Sequence, residues 1–387
     1  PTVRSFHGQA GASSPPGARA KSINRLITEV KWRRRLTDQV GITYTPFANL
    51  RGDVYQFDNF TDPDSVVVDE AGCVDDNPAT ACVLSSSITG SDSTVRGVAA
   101  GGLTIAYPWV ANTASASHVI EPIGQVVTRQ ESVTQRRLPN EDASSLVFDD
   151  TNLFEVSKFS GYDRTEMGTR ANVGVQYTFQ AYNGGYARLL AGQSFQLSGD
   201  NVYKDPGRTD DGNFIYSPDS GLQTARSDYV LGAYIAPNDM FRFISQSRFD
   251  ERDFSLWRED LSAQIIYGPF LFQSTYAYTA SNPELGIEDD QQDIVNYASF
   301  QLTDRWSVGA GMRYDIDDAR MLYDSLQVRY ADECFVLSAT YSEYYYDSET
   351  IDDDRTLMLR FEFKHLGSYE YKTDALDFAF GGDQRTN

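Results

Sequence analysis

Apolar and polar residues alternate one by one through the second half of the chain, which is the pattern of strands with two different faces. Between residues 306 and 314 every second residue is apolar, and small or charged residues such as Gly309 and Arg313 lie between them. The same alternation recurs around residues 326–330, 335–341 and 357–363. We therefore predict a long series of antiparallel strands, about fifteen from residue 24 onward and each roughly ten residues long.

The predicted strand length favours a membrane barrel over a soluble sandwich. Alternation alone does not tell which face is inside. Strands of about ten residues cross a bilayer at a tilt, whereas sandwich strands are more often about five or six residues long. The predicted fold class is all-β: a large transmembrane antiparallel β-barrel of the outer-membrane type, incomplete in this chain, with about 15–16 strands.

Connection length also alternates along the series. Short turns fall near Asp38, Gly184, Asn238, Pro269, Asp304 and Asp332. Long, acidic connections fall between them, around residues 59–92, 129–170, 199–225, 281–293 and 346–355. In bacterial barrels the short turns and the termini are periplasmic. We therefore expect the long connections to be extracellular and the C-terminus to be periplasmic.

The predicted organisation has three parts. Residues 1–24 form an irregular segment or a first partial strand, residues 25–370 form the barrel with its long loop 129–170, and residues 371–387 form a tail. The chain opens at Pro1 on a Ser/Gly/Pro-rich stretch, so we expect a processed or excised portion of something longer.

Composition agrees with strands that are apolar on one face only. Aromatic residues make up 13% of the chain, and the mean hydropathy is −0.44. This mixture is too aromatic for disorder and too polar for a helical membrane protein. Aromatic residues near strand ends, such as Trp306, Tyr276 and Tyr344, favour rings at the lipid headgroup level, although stacking in an ordinary sheet is an alternative.

Charge and catalytic residue types exclude several functions. The net charge of −22 argues against nucleic acid as a partner, because phosphate binding needs an excess of Lys and Arg. His7, His118 and His365 lie far apart, and no Ser/His or Asp/His pair is predicted at the extracellular rim. No glycine pair precedes a helix that would bind phosphate. We predict neither an enzyme nor a resident cofactor or metal.

The chain contains three cysteines. The spacing of Cys73 and Cys82 is not that of a zinc site, but the two could close a small loop in an oxidising compartment. Cys334 is then left without a partner within the chain.

A motif in the longest connection resembles a known family. Residues 158–164 read Lys-Phe-Ser-Gly-Tyr-Asp-Arg, followed by Arg170-Ala171-Asn172-Val173-Gly174, and this closely resembles the RFSGxDR…N…G segment of the LPS-assembly protein LptD family. Glu121-Pro122 and the segments 302–315 and 328–334 resemble further parts of the family. The resemblance covers about residues 118–370 well and the first hundred residues weakly.

The resemblance implies an outer-membrane translocon that assembles lipopolysaccharide (LPS) into the outer leaflet through a laterally opening barrel in a Gram-negative cell. It implies an LptE-like lipoprotein plug as partner and an LptA-like periplasmic bridge, reached through an N-terminal domain missing here. Outer-membrane lipids would surround the barrel. The last strand of the lateral gate would be formed by Thr356, Leu357, Met358, Leu359, Arg360, Phe361, Glu362, Phe363 and Lys364. The alternative function is a passive porin or substrate-specific channel.

The family's disulfides join its N-terminal domain to adjacent cysteines near the end of the barrel. Glu333 stands in the place of the first of these cysteines, so the resemblance assigns an interdomain disulfide to Cys334 alone. A buried free thiol is the alternative. Cys73 and Cys82 are expected to pair with each other in an extracellular loop.

The motif itself is predicted to line or plug the path of LPS, with loop packing as the alternative. Its residues are Lys158, Phe159, Ser160, Gly161, Tyr162, Asp163 and Arg164, and Gly161 would permit a tight bend. The acidic stretches 205–211, 288–290 and 352–354 could bridge LPS through divalent cations, although a solvated surface is the simpler explanation.

Overall fold

A computed structural model describes residues 2–9, 22–66, 85–130, 138, 140–143, 146–204, 219–283, 288–346, 353–364 and 367–374. Within them lie nineteen strands: β1 (Thr2–Gln9), β2 (Ser22–Arg33), β3 (Leu36–Thr37), β4 (Thr43–Val66), β5 (Ser85–Ala106), β6 (Trp109–Asn112), β7 (Ala116–Arg129), β8 (Gly168–Ala181), β9 (Tyr186–Ser198), β10 (Tyr229–Ala236), β11 (Phe241–Phe249), β12 (Leu256–Tyr267), β13 (Phe270–Thr279), β14 (Gln291–Gln301), β15 (Trp306–Asp315), β16 (Arg320–Ala331), β17 (Phe335–Tyr344), β18 (Asp354–Phe363) and β19 (Gly367–Asp374). No helix in the described part of the chain is long and apolar enough to cross a membrane.

The strands form one antiparallel β-barrel of the outer-membrane type, in which each strand pairs with its neighbours in sequence. The short β3 continues β2 along β4, and β6 continues β5 along β7. If β2 with β3, and β5 with β6, are each counted as one strand of the barrel wall, the described residues give sixteen strands from residue 22 onward. This agrees with the predicted number. β1 precedes them and pairs with β2. No ladder between β1 and β19 is found among the described residues.

The alternation of the last strands sets their register. In β15 and β16, Trp306 pairs with Tyr330 and Val308 pairs with Val328. In β17 and β18, Leu337 pairs with Phe361 and continues the same row. Apolar residues therefore align with apolar residues across four strands and form a continuous outer face, as the sequence predicted.

The prediction that residues 356–364 form the last strand is wrong for this chain. These residues belong to β18, which pairs with β17 on one side and with β19 on the other. β19 takes the chain back across the barrel, so Asp374 lies at the end that carries the long connections, and residues 371–374 belong to a strand and not to a tail. The outer positions of β19 are Tyr369 and Tyr371, not aliphatic residues, and its strand pattern is correspondingly weak.

Short and long connections lie at opposite ends of the barrel. The turns at residues 182–185, 237–240, 268–269, 302–305 and 332–334 share one end with the β2–β4 turn, and we call it the short-turn end. The connections after β4, β7, β9, β13 and β17 share the other. Two other connections at that end, 250–255 and 316–319, are short. β4 and β5 also extend well into the segment predicted as the loop 59–92.

Aromatic rings form a row at the short-turn end. Trp306 contacts Tyr330 edge-on at 5.1 Å between ring centroids, Tyr330 lies 5.5 Å from Phe335, and Phe335 lies 5.3 Å from Phe361. Rings at this position suit the headgroup layer of a bilayer.

Candidate functional site

The connection between β7 and β8 folds into the lumen. On β4, β5 and β7 the residues Leu50, Val95 and Val126 are exposed on the outer face, whereas the alternate positions are buried under this connection. We call its described residues, 138, 140–143 and 146–167, the luminal loop. The segment predicted as an extracellular loop is therefore packed against the inner wall of the barrel.

The side chain of Arg96, on β5, binds main-chain carbonyl groups of the motif. Its guanidinium donates to Asp53 of β4 at 2.9 and 2.6 Å, to the carbonyl of Tyr162 at 2.6 Å and to the carbonyl of Asp163 at 2.8 Å. Arg51 also donates to the Tyr162 carbonyl, at 3.0 Å. The planar fork of an arginine suits this arrangement, because one group reaches a carboxylate and two carbonyls at once.

The Asp163 side chain is fully buried and bonded on every side. Its Oδ1 accepts from Arg25 at 2.5 Å and from the Tyr55 hydroxyl at 3.1 Å, and its Oδ2 accepts from the Glu141 N–H at 2.7 Å. Burial, together with the nearby Asp142, raises the pKa of Asp163. The ion pair with Arg25 therefore stabilises the negative charge of Asp163 at a position where burial disfavours that charge.

Gly161 is required for the close approach of Asp142. A Cβ at Gly161 would lie 2.1 Å from Asp142 Oδ1 and 2.4 Å from its carbonyl oxygen. Asp142 accepts from the N–H groups of Tyr162 and Asp163, both at 3.0 Å, and pairs with Arg25 at 2.9 Å. The tight bend predicted at Gly161 is thus a tight contact, and Gly161 is not among the glycines with positive φ.

Glu166 forms a second buried centre. Its Oε1 accepts from the Lys158 N–H at 2.8 Å, and its Oε2 lies 3.2 Å from Arg170 and 3.4 Å from Arg129. Burial by itself raises the pKa of Glu166, but Arg129, Lys158 and Arg170 outweigh it and lower the pKa to about 2. Burial lowers the pKa of Lys158 to about 8. One carboxylate therefore faces three cations at this point of the lumen.

Polar residues of the wall complete this centre. Lys158 Nζ lies 3.4 Å from Asn172 Oδ1, and Asn172 donates to Gln125 at 2.7 Å. Gln125 in turn donates to the Phe154 carbonyl at 2.9 Å. Arg129 donates to the carbonyl of Val156. The resemblance singled out Asn172, and its partners show why the position holds an amide that both donates and accepts.

The luminal loop shares a small apolar core with the connection between β9 and β10. Its buried members are Ala143, Leu146, Phe148, Leu153, Phe159, Tyr203, Leu222 and Val230. The rings of Phe159 and Tyr203 lie 5.0 Å apart. We call the described residues 199–204 and 219–228 the second luminal loop. The two loops pack together as one body inside the barrel.

Asp150 fixes the packed luminal loops to the part of the wall formed by β9, β10 and β11. It accepts from Arg188 of β9 at 3.1 Å, from Tyr234 of β10 at 3.3 Å and from Gln246 of β11 at 3.0 Å. A Cβ on Gly232 would lie 2.1 Å from the Asp150 carboxyl, so a glycine is required there. The luminal loop thus extends from the β2–β5 wall to the β9–β11 wall.

Arg248 of β11 holds the second luminal loop. It pairs with Asp219 and, at 3.2 Å, with Asp228. Burial raises the pKa of Asp228 to about 7; Arg248 acts in the opposite direction, and Asp219 and Asp250 add to the increase.

The predicted site residues fall into separate places. Residues 158–164 lie together in the lumen, with all but Ser160 at least partly buried. Cys334 is an exposed free cysteine in the turn at the short-turn end. Residues 356–364 lie far along the sheet, in and just after β18. Cys73, Cys82 and the stretch 205–211 lie outside the described residues, and in the described part no group of acidic, His or Cys side chains is arranged to hold a metal.

Sequence reasoning missed most of the partners of the motif. These are Arg25, Asp53, Arg96, Arg129, Asp142 and Glu166. Charged residues at inward positions of otherwise apolar strands, such as Arg51-Gly52-Asp53, were the available signal. His118 is accounted for by its 2.8 Å contact with the Tyr177 hydroxyl on β8.

Comparison with known proteins identifies the family. The family described as LptD, LPS transport system D, matches residues 3–286, which is most of the chain. The chain belongs to the LptD family. LptD proteins act in LPS transport, and an LptD barrel of the outer-membrane type resides in the outer membrane. No curated protein matches the chain.

Solved structures similar to this LptD chain include porins. A mutant of the Rh. blastica porin has a TM-score of 0.35 and 9% identity over 72% of this chain and 86% of that one. A triple mutant of the Rhodopseudomonas blastica porin has a TM-score of 0.35 and 9% identity over 86% of this chain and 94% of that one.

Proposed function

We propose that the chain is the barrel of an LPS translocon that inserts LPS into the outer leaflet, with the luminal loops closing the barrel when no substrate passes. The observation that supports this most is the family match together with the bonded luminal loop. A pore for free diffusion needs an open lumen. The two luminal loops fix buried charges between the β2–β5 wall and the β9–β11 wall, which favours a closed and regulated path over a passive porin.

The proposed path leaves the barrel sideways. The described end strands β1 and β19 each have one paired neighbour, so lateral opening would separate strand edges and leave the bonded luminal loops in place. Long connections would face outside and short turns would face the periplasm. An LptE-like lipoprotein would fill the part of the lumen opposite the luminal loop, and an LptA-like bridge would deliver LPS from the short-turn end.

Depletion and complementation test the function. In a Gram-negative strain depleted of its own LptD, the full-length protein should restore LPS at the cell surface, measured by surface labelling, and should restore resistance to large antibiotics. Purified protein in planar bilayers should conduct few ions. Normal surface LPS on depletion, or a large steady conductance by the wild-type protein, would support the porin alternative.

The proposed interdomain disulfide has its own test. Cys334 is exposed at the short-turn end, where a periplasmic domain would dock. Non-reducing mass spectrometry of the full-length protein from outer membranes should find Cys334 linked to a cysteine that precedes Pro1. A free thiol at Cys334 would contradict this assignment without affecting the proposed transport.

A further inference from the structure

A cavity of about 800 Å³ lies between the luminal loop and the short-turn end of the β2–β7 wall. Residues 154–157 and 159–162, with Thr165 and Glu166, form its roof. Its wall carries apolar side chains, among them Phe47, Val98 and Ile123. We call this space the chamber. It has the mixed lining that an amphiphile with a polar head needs.

Two arginines at the mouth of the chamber have no acidic partner. Arg33 and Arg35 line the chamber, are exposed, and pair with no carboxylate in the described part of the chain. Arg33 faces the lumen, because the odd positions Arg25, Ile27 and Glu29 of β2 are buried or nearly so, while Leu26 and Val30 are exposed outside. Arg35 follows the end of β2 and is placed at the chamber by the lining itself.

None of the acidic residues of the chamber forms an ion pair with Arg33 or Arg35 in the described part of the chain. Glu29 pairs with Lys31 at 3.0 Å and accepts from Asn49 at 2.8 Å. Glu166 already faces three cations in the roof. Glu121 lies on β7, three strands from β2, or about 14 Å along the sheet at the usual strand spacing. Glu155 is an exposed residue of the luminal loop.

We infer that the chamber receives the phosphorylated head of the substrate, and that Arg33 and Arg35 bind its phosphate at the mouth. This inference rests on the proposed LPS function. Guanidinium groups bind phosphate through paired, charge-assisted hydrogen bonds. The excess cations around Glu166 would keep the potential favourable for an anion further inside. Membrane lipids are a less suitable ligand, because they would meet the outer face of β2 and not the chamber.

Lipid binding by matched variants tests the inference. The full-length protein in detergent micelles would be titrated with fluorescent bisphosphorylated lipid A and with the same lipid after removal of its phosphates. Replacing both arginines by glutamate should weaken binding of the bisphosphorylated lipid about tenfold or more, since charged hydrogen bonds are lost and repulsion is introduced. Arg34→Glu is the matched control, because Arg34 adjoins both residues and does not line the chamber. The control should bind within about twofold of wild type.

Several results would overturn the inference. These are normal lipid A binding by the double variant, an equal loss in Arg34→Glu, or equal wild-type affinity for the dephosphorylated lipid. Competition by inorganic phosphate alone, or equal binding of phosphatidylglycerol, would assign the arginines to another phosphate source. Loss of heat-modifiable gel mobility would show that the double glutamate variant fails to fold. In that case the neutral double variant, Arg33→Gln with Arg35→Gln, replaces it in the binding assay. If the wild type supports surface LPS but these binding results fail, only the chamber assignment falls; failure of the surface assay removes the proposed function itself.

Discussion

Replacing Gly161 by alanine should release the luminal loop while leaving the barrel intact. The added Cβ would lie 2.1 Å from Asp142 Oδ1 and 2.4 Å from the Asp142 carbonyl oxygen, and the second contact is with main chain. Relief requires the two segments to separate by about 1 Å, an overpacking that costs about 1–3 kcal/mol. The separation also stretches the two 3.0 Å bonds from the Tyr162 and Asp163 N–H groups to Asp142.

Each bond to a charged group contributes about 1.5–3 kcal/mol, and stretching loses only part of that. Together with the overpacking, the total against the docked loop is at least about 2 kcal/mol. A change of this size raises the released fraction of the loop about 30-fold or more. Hydrogen exchange on the full-length protein in micelles should show faster exchange of the amides of Glu141, Tyr162 and Asp163. Conductance in planar bilayers should rise in parallel.

Gly124→Ala is the matched control, because nothing lies within 4 Å of a Cβ at Gly124. It should leave both exchange and conductance unchanged. Wild-type exchange at residues 141, 162 and 163 in Gly161→Ala would refute the close-contact argument. Unfolding of the barrel as a whole would refute the separation of loop docking from barrel stability.

Three further changes test the buried charges. Glu166→Gln should weaken docking of the luminal loop by about 3–5 kcal/mol, because it leaves three cations without their shared carboxylate. The control Glu155→Gln, on the exposed side of the same loop, should not weaken docking, and hydrogen exchange measures both variants. Arg96→Lys should weaken docking by about 2–4 kcal/mol, because an ammonium cannot span a carboxylate and two carbonyls, and the same exchange experiment reports it. The pKa of Asp228 is raised to about 7, so docking of the second luminal loop should be firmer at pH 5 and looser as the pH rises through 7. Asp228→Asn should remove this pH dependence, and protease accessibility of the loop measures both.

The direction of the pH effect follows from linkage. The pKa of Asp228 is higher in the docked state than its usual value, so the docked state binds the proton more tightly and ionisation opposes docking. Glu166 behaves oppositely: its pKa is lowered to about 2, so its stabilising effect is present at neutral pH and is lost only as the pH falls toward 2. Looser docking at pH 5 than at pH 8 would contradict the assignment to Asp228. For the two substitutions at Glu166 and Arg96, unchanged exchange in the luminal loop would contradict the network.

The alternation of apolar and polar residues in the sequence was sufficient to predict which residues form the outer face of the wall. Residues 306–314 and 326–330 occupy the predicted faces of β15 and β16 because a strand turns successive side chains to opposite sides. β19 was missed because its outer positions are tyrosines and it is eight residues long, so it carries little apolar periodicity. The last-strand assignment failed for that reason, and Asp374 lies at the end opposite the short turns.

The motif shows where sequence reasoning ends. The resemblance located residues 158–164, and the position of Gly161 suggested a local constraint. The constraint turned out to be a contact with Asp142, nineteen positions earlier in the chain. Local turn chemistry does not reveal such a contact, because the two segments meet only after the loop has folded against the wall.

The sequence by itself determined the strand series, the two faces of the wall, the sorting of short and long connections and the family motif. These properties are local and repeat along the chain, so each can be read from neighbouring residues. Only the tertiary structure decided which residues hold the inward-turned connection between β7 and β8, with Arg96 joining Asp53 to the main chain of Asp163, across 43 and 67 residues. The physical reason is that a buried charge is stable only beside its counter-charge, and the strand stagger and the loop path together set which charges meet.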